Sequence, residues 1–158
     1  MRTQYEILEE LKENFSIDEF VDETVYNKYG EKAWRFFDMR LLHTMVIIRK
    51  YIGRRITINS WKWGGGFSQR GLRTNISQLV RTKNYLYLSA HLRGAAVDFD
   101  VEGMTASEVR AWIKENEDLL PYHVRLENIL LSTGHEISWV HLDVDYEPSN
   151  PKVYLFNV

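Results

Sequence analysis

The chain predicts an α+β fold in which N-terminal helices pack on a mostly antiparallel central sheet. Three observations carry this. Apolar residues in the first 53 positions recur at helical spacing. From residue 54 onward, short runs rich in β-branched residues or alternating in polarity read as strands. The turns between those strands are too short for repeated parallel crossovers. At 158 residues the chain is read as one domain, with a helical part over 1–53 and a core over 54–158 that carries the candidate site.

Taken in order, residues 3–14 place Tyr5, Ile7, Leu8 and Leu11 on one helical face. Asp18 to Val25 is read as a second, short helical turn. Trp34, Phe37, Leu41, Leu42, Met45, Val46 and Ile48 then describe one buried helix from Ala33 to Tyr51, ended near Gly53. Arg55–Asn59 reads as a strand, Trp61–Arg73 as a long glycine-containing loop, and Asn75–Arg81 as a short helix. Ala95–Val101 alternates like a strand. Thr105 with Glu108 forms a capping-box pair that opens a helix to about Asn116. Val124–Leu131, Ser138–Tyr146 and Lys152–Phe156 complete the strands.

Composition excludes several classes of function. Without cysteine there is no disulfide and no thiolate metal or redox site, so any metal must rest on His, Asp and Glu. No apolar run approaches the roughly 18 residues of a membrane-spanning helix, so no membrane insertion is expected. The amphipathic, acidic start is unlike a signal peptide, which implies cytoplasmic synthesis and retention unless another component releases the protein. The net charge of −2 hides an asymmetry: Met39–Val97 holds eleven bases and no acid, leaving nine bases and all 22 acids elsewhere. Such a block suits an anionic ligand. Nucleic-acid binding through it ranks last among the readings and predicts an affinity that falls steeply with salt. The Gly64–Gly66 run is a weak phosphate-loop signal, since no Gly-Lys-Ser/Thr follows.

The chemistry concentrates in S-A-H-L-R-G-A-A-V-D at Ser89–Asp98 and W-V-H-L-D at Trp139–Asp143. His91, Asp98 and His141 are the three side chains an open catalytic zinc site needs, with its fourth position left to water. If the strands carrying Asp98 and His141 are neighbours, the three meet on one sheet face. Gly94 lets the chain turn sharply between His91 and the strand.

The pattern S-x-H-x-x-G-x-A-x-D followed by W-V-H-x-D resembles the M15 family of peptidases, over roughly Ile56–Val144. That family comprises zinc D-Ala-D-Ala carboxypeptidases, D,D-dipeptidases and phage L-alanyl-D-glutamate endopeptidases. The resemblance implies the hedgehog/D-Ala-D-Ala peptidase fold, Zn2+ on His91, Asp98 and His141, and a peptidoglycan stem peptide as substrate. Many members place an S-G-Y-R arginine ahead of the first motif. Here Ser60-Trp61-Lys62 and a longer loop stand instead, and Arg73, then Arg70, are preferred to Lys62 because arginine can grip a carboxylate with two donors. Ser89 is expected to bond substrate or the loop itself.

The general base is less well marked. Several members carry Glu three residues before the last His, where this chain has Ser138. Glu136 is the preferred base because a carboxylate suits proton transfer from a metal-bound water, with His135 in reserve. Strand alternation instead favours His135 or Asp143. Asp143 is read as a residue that orients a ligand. Two other readings stay open: an Fe(II) oxygenase built on the same two histidines and one acid, and a non-catalytic wall-peptide binder or structural protein. Trp61, Trp63 and Trp139 could line a groove, but packing is the commoner fate of such residues.

Overall fold

The computed structural model describes residues 2–145 and 151–158. Helix α1 (Gln4–Lys12) begins at a Thr3–Glu6 capping box and buries Ile7 and Leu11. The second helical stretch is split. A short 3-10 turn covers Ile17–Glu19, and α2 (Glu23–Tyr29) starts afresh where the Asp22 side chain accepts from Val25 N.

The expected helix Ala33–Tyr51 is also two pieces: a 3-10 segment, Gly30–Phe36, and α3 (Met39–Ile52). Asp38 makes the break. It sits in extended backbone, its carboxylate caps Arg40 N, and its own N–H leaves the helix for Gly94 O at 3.0 Å. Phe37 turns inward at this break, edge-on to Phe20 with ring centres 5.5 Å apart. At the far end Gly53 closes α3 in the left-handed conformation.

The strands are β1 (Ile56–Thr57), β2 (Ala96–Val101), β3 (Val124–Glu127), β4 (Ile129–Leu130), β5 (His135–Glu136), β6 (Val140–Asp143) and β7 (Val153–Phe156). Five form one sheet in the order β1-β2-β6-β3-β7, and β4 with β5 makes a separate hairpin. The sheet is mixed. Its first three pairings are antiparallel, but β7 lies parallel to β3. Both strands oppose β6 in direction, and β7 is added on the far side of β3, so the two run the same way.

Several strands are shorter than the sequence suggests. The Arg55–Asn59 run pairs only at Ile56 and Thr57, because Asn59 bonds to Glu19 O, Val21 O and Arg70 N instead of the ladder. The Val124–Leu131 run breaks at Asn128, and its last part turns into the hairpin with His135–Glu136. Of Ser138–Tyr146, only Val140–Asp143 is strand, and Tyr146 lies outside the described residues. The short helix near Asn75 is α4 (Gln78–Arg81), and α5 (Ala106–Glu115) starts at the expected Thr105–Glu108 box.

Alternation divides the sheet into two unlike faces. Val97, Phe99, Leu126, Val140 and Leu142 belong to one apolar cluster that also takes in Ile7, Leu11, the inner side of α3, and Val109 and Ile113 of α5. The other face presents Asp98, His141, Asp143, Arg125 and Glu127. No helix among the described residues is long and apolar enough to cross a membrane.

Candidate metal centre

Asp98 lies mid-strand in β2 and pairs directly with His141 of β6, so both side chains rise from the same face. His91 comes from outside the sheet, on a single 3-10 turn, Ala90–Arg93. Ser89 caps that turn, its Oγ accepting from His91 N at 3.3 Å. Gly94 closes it at φ +63°, where a Cβ would come within 2.1 Å of Phe36 O, so only glycine fits.

Three donor atoms converge. His91 Nε2 is 3.3 Å from His141 Nδ1 and 3.3 Å from Asp98 Oδ1, and the last two are 2.8 Å apart. A tetrahedral ion with bonds of about 2.0–2.1 Å needs donors about 3.3 Å apart, so this triangle is nearly the right size. The atoms facing away are also committed. His91 Nδ1–H donates to Gly71 O at 2.8 Å, His141 Nε2–H to Asp143 Oδ2 at 3.0 Å, and Asp98 Oδ2 accepts from Arg73 Nη2 at 3.0 Å. Outer bonds of this kind set the ring orientation and tautomer a metal requires. Every member is nearly sealed from solvent, at 2% exposure for His91 and 6% for Asp98 and His141. These three residues could hold a metal ion.

Burial opposes the charge on His141, but bonds to Asp143 and Asp98 outweigh it and hold the imidazolium up to about 10. Burial likewise opposes charge on Asp98, and the two imidazoles reverse the balance, keeping its carboxyl well below the usual carboxylate range. Asp143 is lowered in the same way by His141 and by Arg125, whose Nε and Nη2 reach its two oxygens at 2.7 and 3.1 Å. Asp143 thus holds His141 through Nε2, while Nδ1 faces Asp98 and His91.

The sequence reasoning missed Glu127. It stands beside His141 on β3, Oε1 4.0 Å from Nε2, and burial pushes its carboxyl up. The signal was strand parity, since Arg125–Asp143 pairing places Glu127 next to His141, but that register is not visible in one sequence.

The remaining candidates are distributed unevenly. A cleft of about 310 Å³ reaches Asp98 past Phe67, Arg70, Arg73, Leu79 and Trp139. Arg70 bonds Asp100 Oδ2 at 2.6 Å and lies over the Phe67 ring at 3.5 Å. Lys62 is directed elsewhere, to Asp18 at 3.2 Å and Tyr26 at 2.9 Å. Trp61 donates to Asp18 O and Val21 O, a packing role. Glu136 takes a bond from Ser107 Oγ at 3.3 Å and lines a different cleft, with Asp100 and the start of α5. His135 is exposed at the hairpin. The structure therefore brings Arg70, Arg73 and Trp139 to the mouth of the centre, while Glu136 and His135 sit on the hairpin.

Comparison with protein-family models, with curated proteins and with solved structures gives no match.

Proposed function

We propose that this chain is a zinc metallopeptidase that cuts a peptide bond in bacterial peptidoglycan, as a carboxypeptidase or endopeptidase of the M15 type. The observation that supports the reading is the convergence of His91 Nε2, Asp98 Oδ1 and His141 Nδ1, each with its outer atom engaged. When bound, the ion supplies a Lewis acid and a water acidified to about pKa 7. The residues of the chain do the rest. The cleft beside Asp98 admits a short peptide past Trp139, and Arg70 meets a substrate carboxylate in place of Asp100. A carboxylate moves the proton from nucleophile to leaving amine: Glu136 on the suitability of its chemistry, or Glu127 on its place beside His141. Glu127→Gln and Glu136→Gln, made separately, decide between them, and the base is the one whose loss lowers kcat at least ~100-fold.

The test is mass spectrometry of purified stem peptides incubated with and without chelator. Cleavage that is lost with chelator and in His91→Ala and Asp98→Ala supports the reading. Full activity in either variant defeats it, and the mass of the fragment names the bond.

A second reading keeps the fold and the ion but not the reaction. The site of Glu136, bonded to Ser107 away from the cleft, favours a wall-peptide binder. Zinc and stem-peptide binding without cleavage is its signature. Iron in protein purified without added metal, together with oxygen-dependent turnover, would point instead to an oxygenase.

A further inference from the structure

We propose that the irregular segment Gln69–Arg73 is the template of the metal centre, and that Arg73 acts within it as a positioning residue on Asp98 rather than as a grip for substrate. The proposal rests on the metal-centre part of the reading above but not on peptide cleavage.

Four bonds tie this segment to two of the three ligands. Gly71 O accepts from His91 Nδ1 at 2.8 Å, and Arg73 N donates to His91 O at 3.1 Å. Asp98 N donates to Arg70 O at 2.7 Å, and Arg73 Nη2 donates to Asp98 Oδ2 at 3.0 Å. The segment has no regular structure of its own to hold it in place. It is anchored on the aromatic core instead: Leu72 N donates to Phe20 O at 2.8 Å, and Gly71 lies so close that a Cβ would be 2.0 Å from the same oxygen.

The guanidinium of Arg73 is committed in three directions. Besides Asp98, its Nε donates to Gln69 O at 2.8 Å and its Nη1 to Tyr87 Oη at 3.1 Å. Its side chain is 12% exposed, so little of its fork is left for a ligand. Arg70 differs, because its partner Asp100 is 45% exposed and can be exchanged. The consequence for coordination is specific. An arginine on Oδ2 leaves Oδ1 as the one donor facing the histidines. Without it, the carboxylate is free to rotate and grip with both oxygens, which closes the position a water needs.

Cobalt(II) tests this, since its visible absorption is intense when four-coordinate and weak when coordination rises. Arg73→Gln is expected to weaken Co2+ binding roughly 10–100-fold and to lose absorption intensity at saturation. Arg73→Lys, which keeps a charged donor, is expected to restore most of that intensity. Tyr87→Phe, which frees one side of the guanidinium, should move both readouts a smaller distance the same way. An Arg73→Gln protein with unchanged affinity and spectrum, but a raised KM for stem peptides, overturns the proposal in favour of substrate binding. If the unaltered protein binds no cobalt, the metal reading and this role fall together. If it binds cobalt and cuts no peptide, the peptidase reading falls while the Arg73 results stand.

Discussion

The two faces of the sheet are made of the same strands and held in opposite ways. On one side Val97, Phe99, Leu126, Val140 and Leu142 fill space, and no atom has to point at another. On the other, Asp98, His141, Asp143 and Arg125 form a chain of directed bonds with every inner group charged or titratable. Apolar packing tolerates exchange between side chains of similar volume. A buried polar network tolerates almost none, because each removal leaves a partner unsatisfied in a low dielectric. The apolar face is held by volume, and the polar face, held by charge and directed bonds, gathers the three residues that could hold a metal ion.

The largest effect should come from emptying the apolar face. Phe99 is fully buried, so Phe99→Ala should cost about 3–5 kcal/mol of folding free energy by denaturant titration. Phe99→Leu should recover most of it and leave metal affinity unchanged. Asp98→Asn is the matched change across the strand, since shape is kept and charge is lost. Its expected outcome is loss of metal binding, with a stability cost that is larger at pH 6 than at pH 10, where the charge on His141 fades and the Arg73 bond remains. A cost independent of pH would mean that the polar face is held by shape after all.

Titration sharpens the same comparison. In the metal-free protein His141 is held up to about 10 from an unfolded value near 6.5. That stabilisation is complete below pH 6.5 and is lost as pH rises through about 10. The carboxyls of Asp98 and Asp143 are lowered from 3.8, so their share is present above that value and is lost in acid. Stability without metal should therefore be greatest between about pH 4 and 6.5 and fall by a few kcal/mol toward pH 10, losing at most roughly 1.4 kcal/mol with each step of one in pH. Metal affinity should change in the opposite sense over this range, because the proton on His141 Nδ1 must leave before that atom can ligate. Denaturant midpoints at pH 6 and 9, with and without Zn2+, check both. A metal-free midpoint that rises with pH contradicts the assignment.

How much of this was legible in the sequence depends on the range of the interaction. His91, Asp98 and His141 could be found because their spacing is local to two short motifs, and the Asp98 strand alternates cleanly. Gly94 and the Thr105 box were legible for the same reason. The break at Asp38 was not, since its N–H is drawn off by Gly94, 56 residues away in the chain. Helical periodicity runs straight through that break. Glu127 and the parallel β7 were hidden because register and strand order are set by distant pairings. Arg73 shows the same limit, since a single sequence shows a cation in a loop but not the Asp98 oxygen that its Nη2 reaches.

Gly71 is where the two regimes meet, since its backbone touches Phe20 on one side and His91 on the other. Gly71→Ala must push the segment off Phe20 O, an overpacking cost of about 1–3 kcal/mol. Because Gly71 O accepts from His91 Nδ1, metal affinity should drop as well. A stability loss with unchanged affinity would show that the segment can shift without carrying His91 along.

The smallest effect tests whether the two faces are independent. Thr3 and Thr105 cap α1 and α5 with the same box, and replacing either by Ala should cost about 1 kcal/mol. Their surroundings differ. Helix α1 packs on the apolar core through Ile7 and Leu11, whereas α5 also carries buried Arg110, whose Nη1 donates to Ile137 O at 3.0 Å and Trp139 O at 3.2 Å, just ahead of His141. If stability and function are separable, Thr105→Ala lowers the denaturant midpoint as Thr3→Ala does and leaves metal affinity within about twofold. If affinity falls tenfold in Thr105→Ala alone, a loosened α5 is transmitted through Arg110 to the histidine strand. The division between the faces would then be one of chemistry and not of mechanics.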